Sequence, residues 1–121
     1  MNKRDTGRHY EEMAVLHLVH AGYKILKRNY YTRYGEIDII AYKASTYIFI
    51  EVKYRTSDKK GKPYEAVGHA KRQRMMKSSL SYCKVMNLFG QSMRFDIIDI
   101  LEEKLTHYEN AFEMDKRYTN Y

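Results

Sequence analysis

The 121-residue chain is poor in the residues that impose structure from outside a hydrophobic core, with one cysteine and one proline. A lone thiol, Cys83, excludes an internal disulfide framework and fits a reducing compartment. No stretch reaches the about 18 consecutive apolar residues of a membrane-spanning helix. Residues 1–12 are charged and polar, without the apolar segment of a secretory signal. The expectation is a soluble cytoplasmic protein with no membrane partner. The one proline, Pro63, lies in a polar loop at 56–64. No internal repeat or low-complexity segment is present. The length suits one domain spanning 1–121 that buries roughly two-thirds of its unfolded surface.

Acidic residues are in deficit. Lys and Arg number 22 against 15 Asp and Glu, a net charge of +7. The excess is local: residues 53–77 carry nine basic side chains and only Asp58 and Glu65 as acids. Such a block suits the phosphates of nucleic acid. A solvated basic face that aids solubility is the plainer reading.

Hydrophobic spacing orders the elements. Tyr10, Met13, Ala14, His17, Leu18 and Ala21 recur at helical intervals, with Asp5 or Thr6 as N-cap and Gly22 as a left-handed terminator. Residues 23–31, 36–43 and 47–55 read as strands, the last two joined as an antiparallel hairpin. Residues 65–87 read as a helix with Val67, Ala70, Met76, Ser79, Leu80, Cys83 and Met86 on its inner face. A fourth strand follows at 93–101, and 102–121 reads as an extension or mobile tail. A helical crossover between the third and fourth strands suggests that at least one strand pair is parallel. The expectation is an α/β fold with a mixed sheet flanked by helices.

Two strand segments carry the chemistry. Asp38 lies in Gly-Glu-Ile-Asp-Ile-Ile at 35–40, and Glu51 and Lys53 lie in Tyr-Ile-Phe-Ile-Glu-Val-Lys at 47–53. Residues two apart on a strand share a face, so Glu51 and Lys53 project together. Charged groups in so apolar a run are costly without partners. Asp38, Glu51 and the Val52 carbonyl form a partial oxygen shell for Mg²⁺ or Mn²⁺. Lys53 is placed to position water or neutralise charge on a phosphate. Glu11, on the first helix, is the fourth candidate, and Glu36 is left outside the set.

Gly35-Glu36-Ile37-Asp38 followed by Glu51-Val52-Lys53-Tyr54-Arg55 resembles the PD-(D/E)xK nuclease signature. Over about residues 7–113 the chain resembles the YraN-like family of small bacterial proteins. The resemblance rests also on Glu11 with Ala14, Gly22-Tyr23, Ile25-Leu26, Arg28-Asn29-Tyr30, Val67, Lys71, Arg94-Phe95-Asp96 and Asn110-Ala111-Phe112. It implies a restriction-endonuclease-like αβββαβ core, as in Holliday-junction resolvases. Glu11, Asp38, Glu51 and Lys53 are then the catalytic residues, the three acids holding the metal, and Lys71 is an accessory phosphate contact. Ile37 stands where the signature has proline, a position that does no chemistry.

The expected activity is metal-dependent endonucleolytic cleavage, of DNA first and of branched or damaged structures among DNAs. Arg55, Lys71, Arg72, Arg74 and Lys77 are the expected nucleic-acid contacts, with a homodimer as one arrangement for cutting two strands. A non-catalytic nucleic-acid-binding module on the same fold and a basic surface for an acidic protein are the alternatives. Tyr30, Tyr31, Tyr34, Tyr54 and Tyr64 gather near the site as candidates for base stacking. His17 and His20 stand one helical turn apart but lack further zinc ligands at suitable spacing.

Overall fold

A computed structural model describes residues 2–56 and 67–118. The first helix, α1 (Lys3–His20), begins earlier than expected because Asn2, not Asp5 or Thr6, is its cap: the Asn2 side chain accepts the Asp5 N–H at 2.9 Å. Its end follows the glycine. Gly22 has φ +88°, and the Tyr23 and Gly22 N–H groups return to the Leu18 and Val19 carbonyls at 2.9 and 3.1 Å. Those paired bonds satisfy the last helical acceptors and turn Tyr23 back over Leu18 in the core.

Three strands follow: β1 (Lys24–Thr32), β2 (Gly35–Lys43) and β3 (Thr46–Arg55). The polar loop 56–64 and the expected helix start at 65–66 lie largely outside the described residues, from 57 onward. The second helix, α2 (His69–Met86), leads into β4 (Ser92–Leu101) and β5 (Lys104–Phe112). The sheet order is β1-β2-β3-β4-β5, with β3 and β4 parallel and every other neighbouring pair antiparallel. This is the expected α/β architecture with a mixed sheet, consistent with a restriction-endonuclease-like core.

Residues 104–112, within the stretch read as an extension or mobile tail, form the fifth strand. The hairpin before it turns on Glu102 and Glu103, at φ +48° and +67°. Neither is a residue that favours the left-handed region. The turn is held by tertiary bonds instead: Glu102 N–H to the Arg55 carbonyl at 3.2 Å, and Tyr10 Oη to Glu103 at 2.7 Å. As an edge strand, β5 keeps a polar outer face.

Each face of the sheet carries one helix. Ala14 and Leu18 of α1 pack on Ile39, Ala41, Ile48, Ile50, Ile98 and Ile100. Met75, Met76, Tyr82 and Cys83 of α2 pack on Ile37, Ile40, Phe49 and Phe95. The inner face of α2 is rotated from the expected one: Met75 and Tyr82 are buried, while Ala70 and Met86 are exposed. Tyr82 sets that rotation by filling the space between Tyr30 and Phe49, its ring 5.3 and 6.0 Å from theirs. Among the described residues no helix is long and apolar enough to cross a membrane.

Candidate active site

The site forms where β2 leaves β3. Their last cross-strand pair at this end is Ile39 with Ile50. Ile37 packs in the α2-side core and Ile39 in the α1-side core, so the regular alternation breaks at Asp38. The freed Val52 N–H donates to Asp38 Oδ2 at 2.8 Å. A side-chain carboxylate thereby takes the place of a backbone acceptor, and Asp38 is aimed into the gap between the strands.

Two groups of charges meet there. On one side, oxygens of Glu11, Glu36 and Asp38 lie within 4.8 Å of one another, all three residues half-buried. Asn29 organises two of them, its amide donating to Glu11 at 2.9 Å and to Glu36 at 2.8 Å. Asn29 has φ +50°, a conformation that asparagine tolerates better than most residues. On the other side, Glu51 is buried at 5% exposure. Its oxygens lie 3.8 Å from Lys53 Nζ and 3.4 Å from Lys71 Nζ. The geometry to Lys71 is not that of a hydrogen bond, and Glu51 Oε2 is left with no hydrogen-bond partner among the described residues.

The crowding shows in Asp38. Removal from water, then the neighbouring Glu51 and Glu36, push its carboxyl up to about 8, against the pull of the Val52 N–H and the Lys71 ammonium. Near neutral pH the crowded carboxylates therefore favour a shared proton or a cation.

The expected catalytic residues Glu11, Asp38, Glu51 and Lys53 thus border one gap. Glu36 corrects the expectation that it stands apart. It is two residues from Asp38 and joins the same cluster, as strand alternation alone indicates. Asn29 was not among the site candidates; its only signal was an asparagine inside a strand, a residue type that tolerates positive φ. Lys71 joins the site through Glu51. Arg74 and Lys77 are exposed along α2. Arg55 is held by Asp99 in a two-pronged pair at 3.0 and 3.3 Å. Arg72 donates to the Val67 carbonyl at 2.9 Å and lies over the Phe112 ring.

The aromatic candidates separate. Tyr30 packs edge-on against Tyr82, Tyr54 stacks on Tyr10, and Tyr31 and Tyr34 belong to the outer end of the β1–β2 hairpin. Tyr64 lies outside the described residues. His17 pairs with His107 at 3.0 Å, and not with His20.

A model of the uncharacterised protein family UPF0102 matches residues 10–100. A UPF0102 protein of Thermodesulfovibrio yellowstonii is 42% identical over 112 residues, 93% of this chain and 99% of its own length. One of Fusobacterium nucleatum is 43% identical over 110 residues, covering 91% and 92% of the two chains. One of Syntrophus aciditrophicus is 47% identical over 95 residues, covering 78% and 75%.

Proposed function

The chain belongs to the UPF0102 family, and for this member we propose a metal-dependent endonuclease that hydrolyses phosphodiester bonds of nucleic acid, DNA first. The observation that carries the reading is the buried Glu51 Oε2, which has no hydrogen-bond donor among the described residues, beside three more carboxylates gathered at the same gap. Mutual repulsion of carboxylates costs stability unless a proton or a cation intervenes. The donors are all oxygens, the set that hard divalent cations take. Asp38, Glu51 and Glu11, joined by Glu36, would hold Mg²⁺ or Mn²⁺. When bound, such an ion polarises a phosphoryl oxygen and makes its water a better nucleophile near neutral pH.

The rest falls to the chain's own groups. Lys53, with 39% of its side chain exposed, reaches solvent beside Glu51 and is free to meet a phosphate or hold the attacking water. Lys71, at 30%, supplies a second ammonium on the same carboxylate. Binding of a phosphate there draws both lysines off Glu51 and leaves its oxygens available. Val52 fixes Asp38 and Asn29 fixes Glu11 and Glu36, so these carboxylates are oriented before substrate arrives.

The test is incubation of purified protein with labelled branched, single-stranded and duplex DNA and matching RNA, in Mn²⁺ and in EDTA, beside Asp38→Ala. Metal-dependent cutting that disappears in the variant supports the reading and identifies the substrate. Binding without cutting, unaffected by the variant, replaces it with the non-catalytic module.

A further inference from the structure

Lys71, Arg74, Lys77, Ser81 and Lys84 follow one another at steps of three or four residues along α2. Such residues share one side of a helix. At 1.5 Å per residue they form a ridge about 20 Å long. Its first member touches Glu51 in the candidate site. The stem of Arg74 packs beneath Gly35, next to Glu36. Beyond Arg74 the ridge borders an open groove of about 750 Å³ whose walls include Arg33, Tyr34, Lys77, Lys84, Phe89 and Tyr118.

The groove joins cations to flat apolar rings. The Arg33 guanidinium lies 4.8 Å and the Lys77 ammonium 5.8 Å from the centre of the Tyr34 ring. Phe89, on the loop after α2, is 42% exposed. Among the described residues no carboxylate pairs with Arg33, Lys77 or Lys84. The turn that presents Arg33 and Tyr34 is fixed in place. Thr32 Oγ1 lies 2.7 Å from the buried Ser78 hydroxyl of α2 and accepts the Tyr34 N–H at 3.0 Å. The wall is therefore formed before any ligand arrives.

We propose that this groove binds an unpaired strand of nucleic acid leading away from the phosphodiester at the candidate site. The inference rests on the nucleic-acid reading above and specifies its substrate as a duplex with a single-stranded arm. Phosphates of the arm follow the ridge, while bases lie against Phe89 and the Arg33 guanidinium that covers Tyr34. Only unstacked bases offer their faces to such rings; a duplex presents edges and backbone. Two residue steps, from Tyr34 in the turn to Glu36 in β2, carry the backbone roughly 7 Å from the groove to the carboxylates. A strand leaving the site thus enters the groove without a break in the basic track.

The test measures affinity by fluorescence anisotropy in EDTA, where nothing is cut, using a blunt duplex and the same duplex with a short unpaired DNA or RNA arm. The armed duplexes should bind more tightly. Phe89→Ala should remove about five- to hundredfold of that gain while leaving the blunt duplex unchanged. Replacing Lys77 and Lys84 together by alanine should reduce the salt slope of arm binding by about 1.4. Comparison of the DNA and RNA arms identifies which sugar the groove takes. These side chains are exposed, so circular dichroism should be unchanged. Equal affinity for blunt and armed duplexes, or an arm preference untouched by Phe89→Ala, overturns the groove. Cutting by wild type in Mn²⁺ separates the two ideas: an arm preference in EDTA with no Mn²⁺-dependent cutting sinks the nuclease and keeps the groove.

Discussion

Val52 donates its backbone N–H to the Asp38 carboxylate at 2.8 Å, at the point where β2 has ceased to pair with β3. Strand separation normally leaves backbone donors unmet. Here the unmet donor is the anchor of a site residue. The sheet opens a gap for ligand and orients a carboxylate into it by one substitution of acceptors.

Alanine at Asp38 or Glu51 should lower cleavage about a thousandfold or more, the scale of losing metal-assisted charge stabilisation. Nucleic-acid affinity should stay within about twofold. Lys53→Ala should reduce turnover while divalent-ion binding persists. Single-turnover rates together with Mn²⁺ titration check all three, and cutting at wild-type rate by any variant removes that residue from the site.

Asn29 bridges Glu11 and Glu36, and its loss should loosen the acidic cluster. Asn29→Gly keeps the left-handed backbone accessible and deletes only the amide. Mn²⁺ affinity should fall about ten- to hundredfold, as for other residues that orient metal ligands. Calorimetric titration provides the number; affinity equal to wild type would make the bridge purely structural.

The raised Asp38 pKa has a definite sign. Folded Asp38 keeps its proton up to about 8, whereas the unfolded chain releases it near the ordinary 3.8. The native state therefore binds more protons between those limits, and this group's contribution falls as pH rises through them. Without metal, the melting temperature should decline from pH 5 to pH 8 by about 5 °C more in wild type than in Asp38→Asn. Added Mn²⁺ should recover the difference, and recover more at pH 8 than at pH 6. Parallel melting curves for the two proteins would refute the assignment.

A second polar network acts at the acid end. Burial alone would raise the Asp96 carboxyl, but bonds from His107, Arg94 and the Asn110 N–H outweigh it and hold it below the usual range. His17 is lowered by burial and by its neighbour His107. Both shifts make the unfolded state the better proton acceptor on acidification. Stability should fall first as pH drops below about 6.5, through His17, and again below about 3.8, through Asp96. Asp96→Ala should cost about 3 kcal/mol at neutral pH by leaving Arg94 without its buried partner. Denaturant titrations across this range check both steps.

Much of this was legible in the chain. Strand periodicity located β1 to β4 to within a residue or two, and the helical crossover suggested at least one parallel pair, which is β3–β4. Asp38, Glu51 and Lys53 stood out as charges inside apolar runs. What escaped were features set by tertiary contacts. The Glu102–Glu103 turn has no residue that announces it, because Tyr10 and Arg55 hold it from elsewhere. Glu36 escaped through misjudged alternation, although its two-residue spacing from Asp38 was in view. Asn29 escaped because its partners come from a helix and a neighbouring strand. The face of α2 was misaligned because the Tyr82 ring, packed between Tyr30 and Phe49, decides it.

The grip of the last hairpin on the first helix closes late in synthesis. His9 and Tyr10 meet Glu103, and His17 meets His107, across 90 to 94 positions of sequence. Helix α1 leaves the ribosome first, and these partners follow several seconds later at about 5–20 residues per second. Its packing on β2 and β3 needs no such wait. An unfinished chain therefore holds every member of the Glu11, Glu36 and Asp38 cluster before it holds the bonds that clamp His9, Tyr10 and His17.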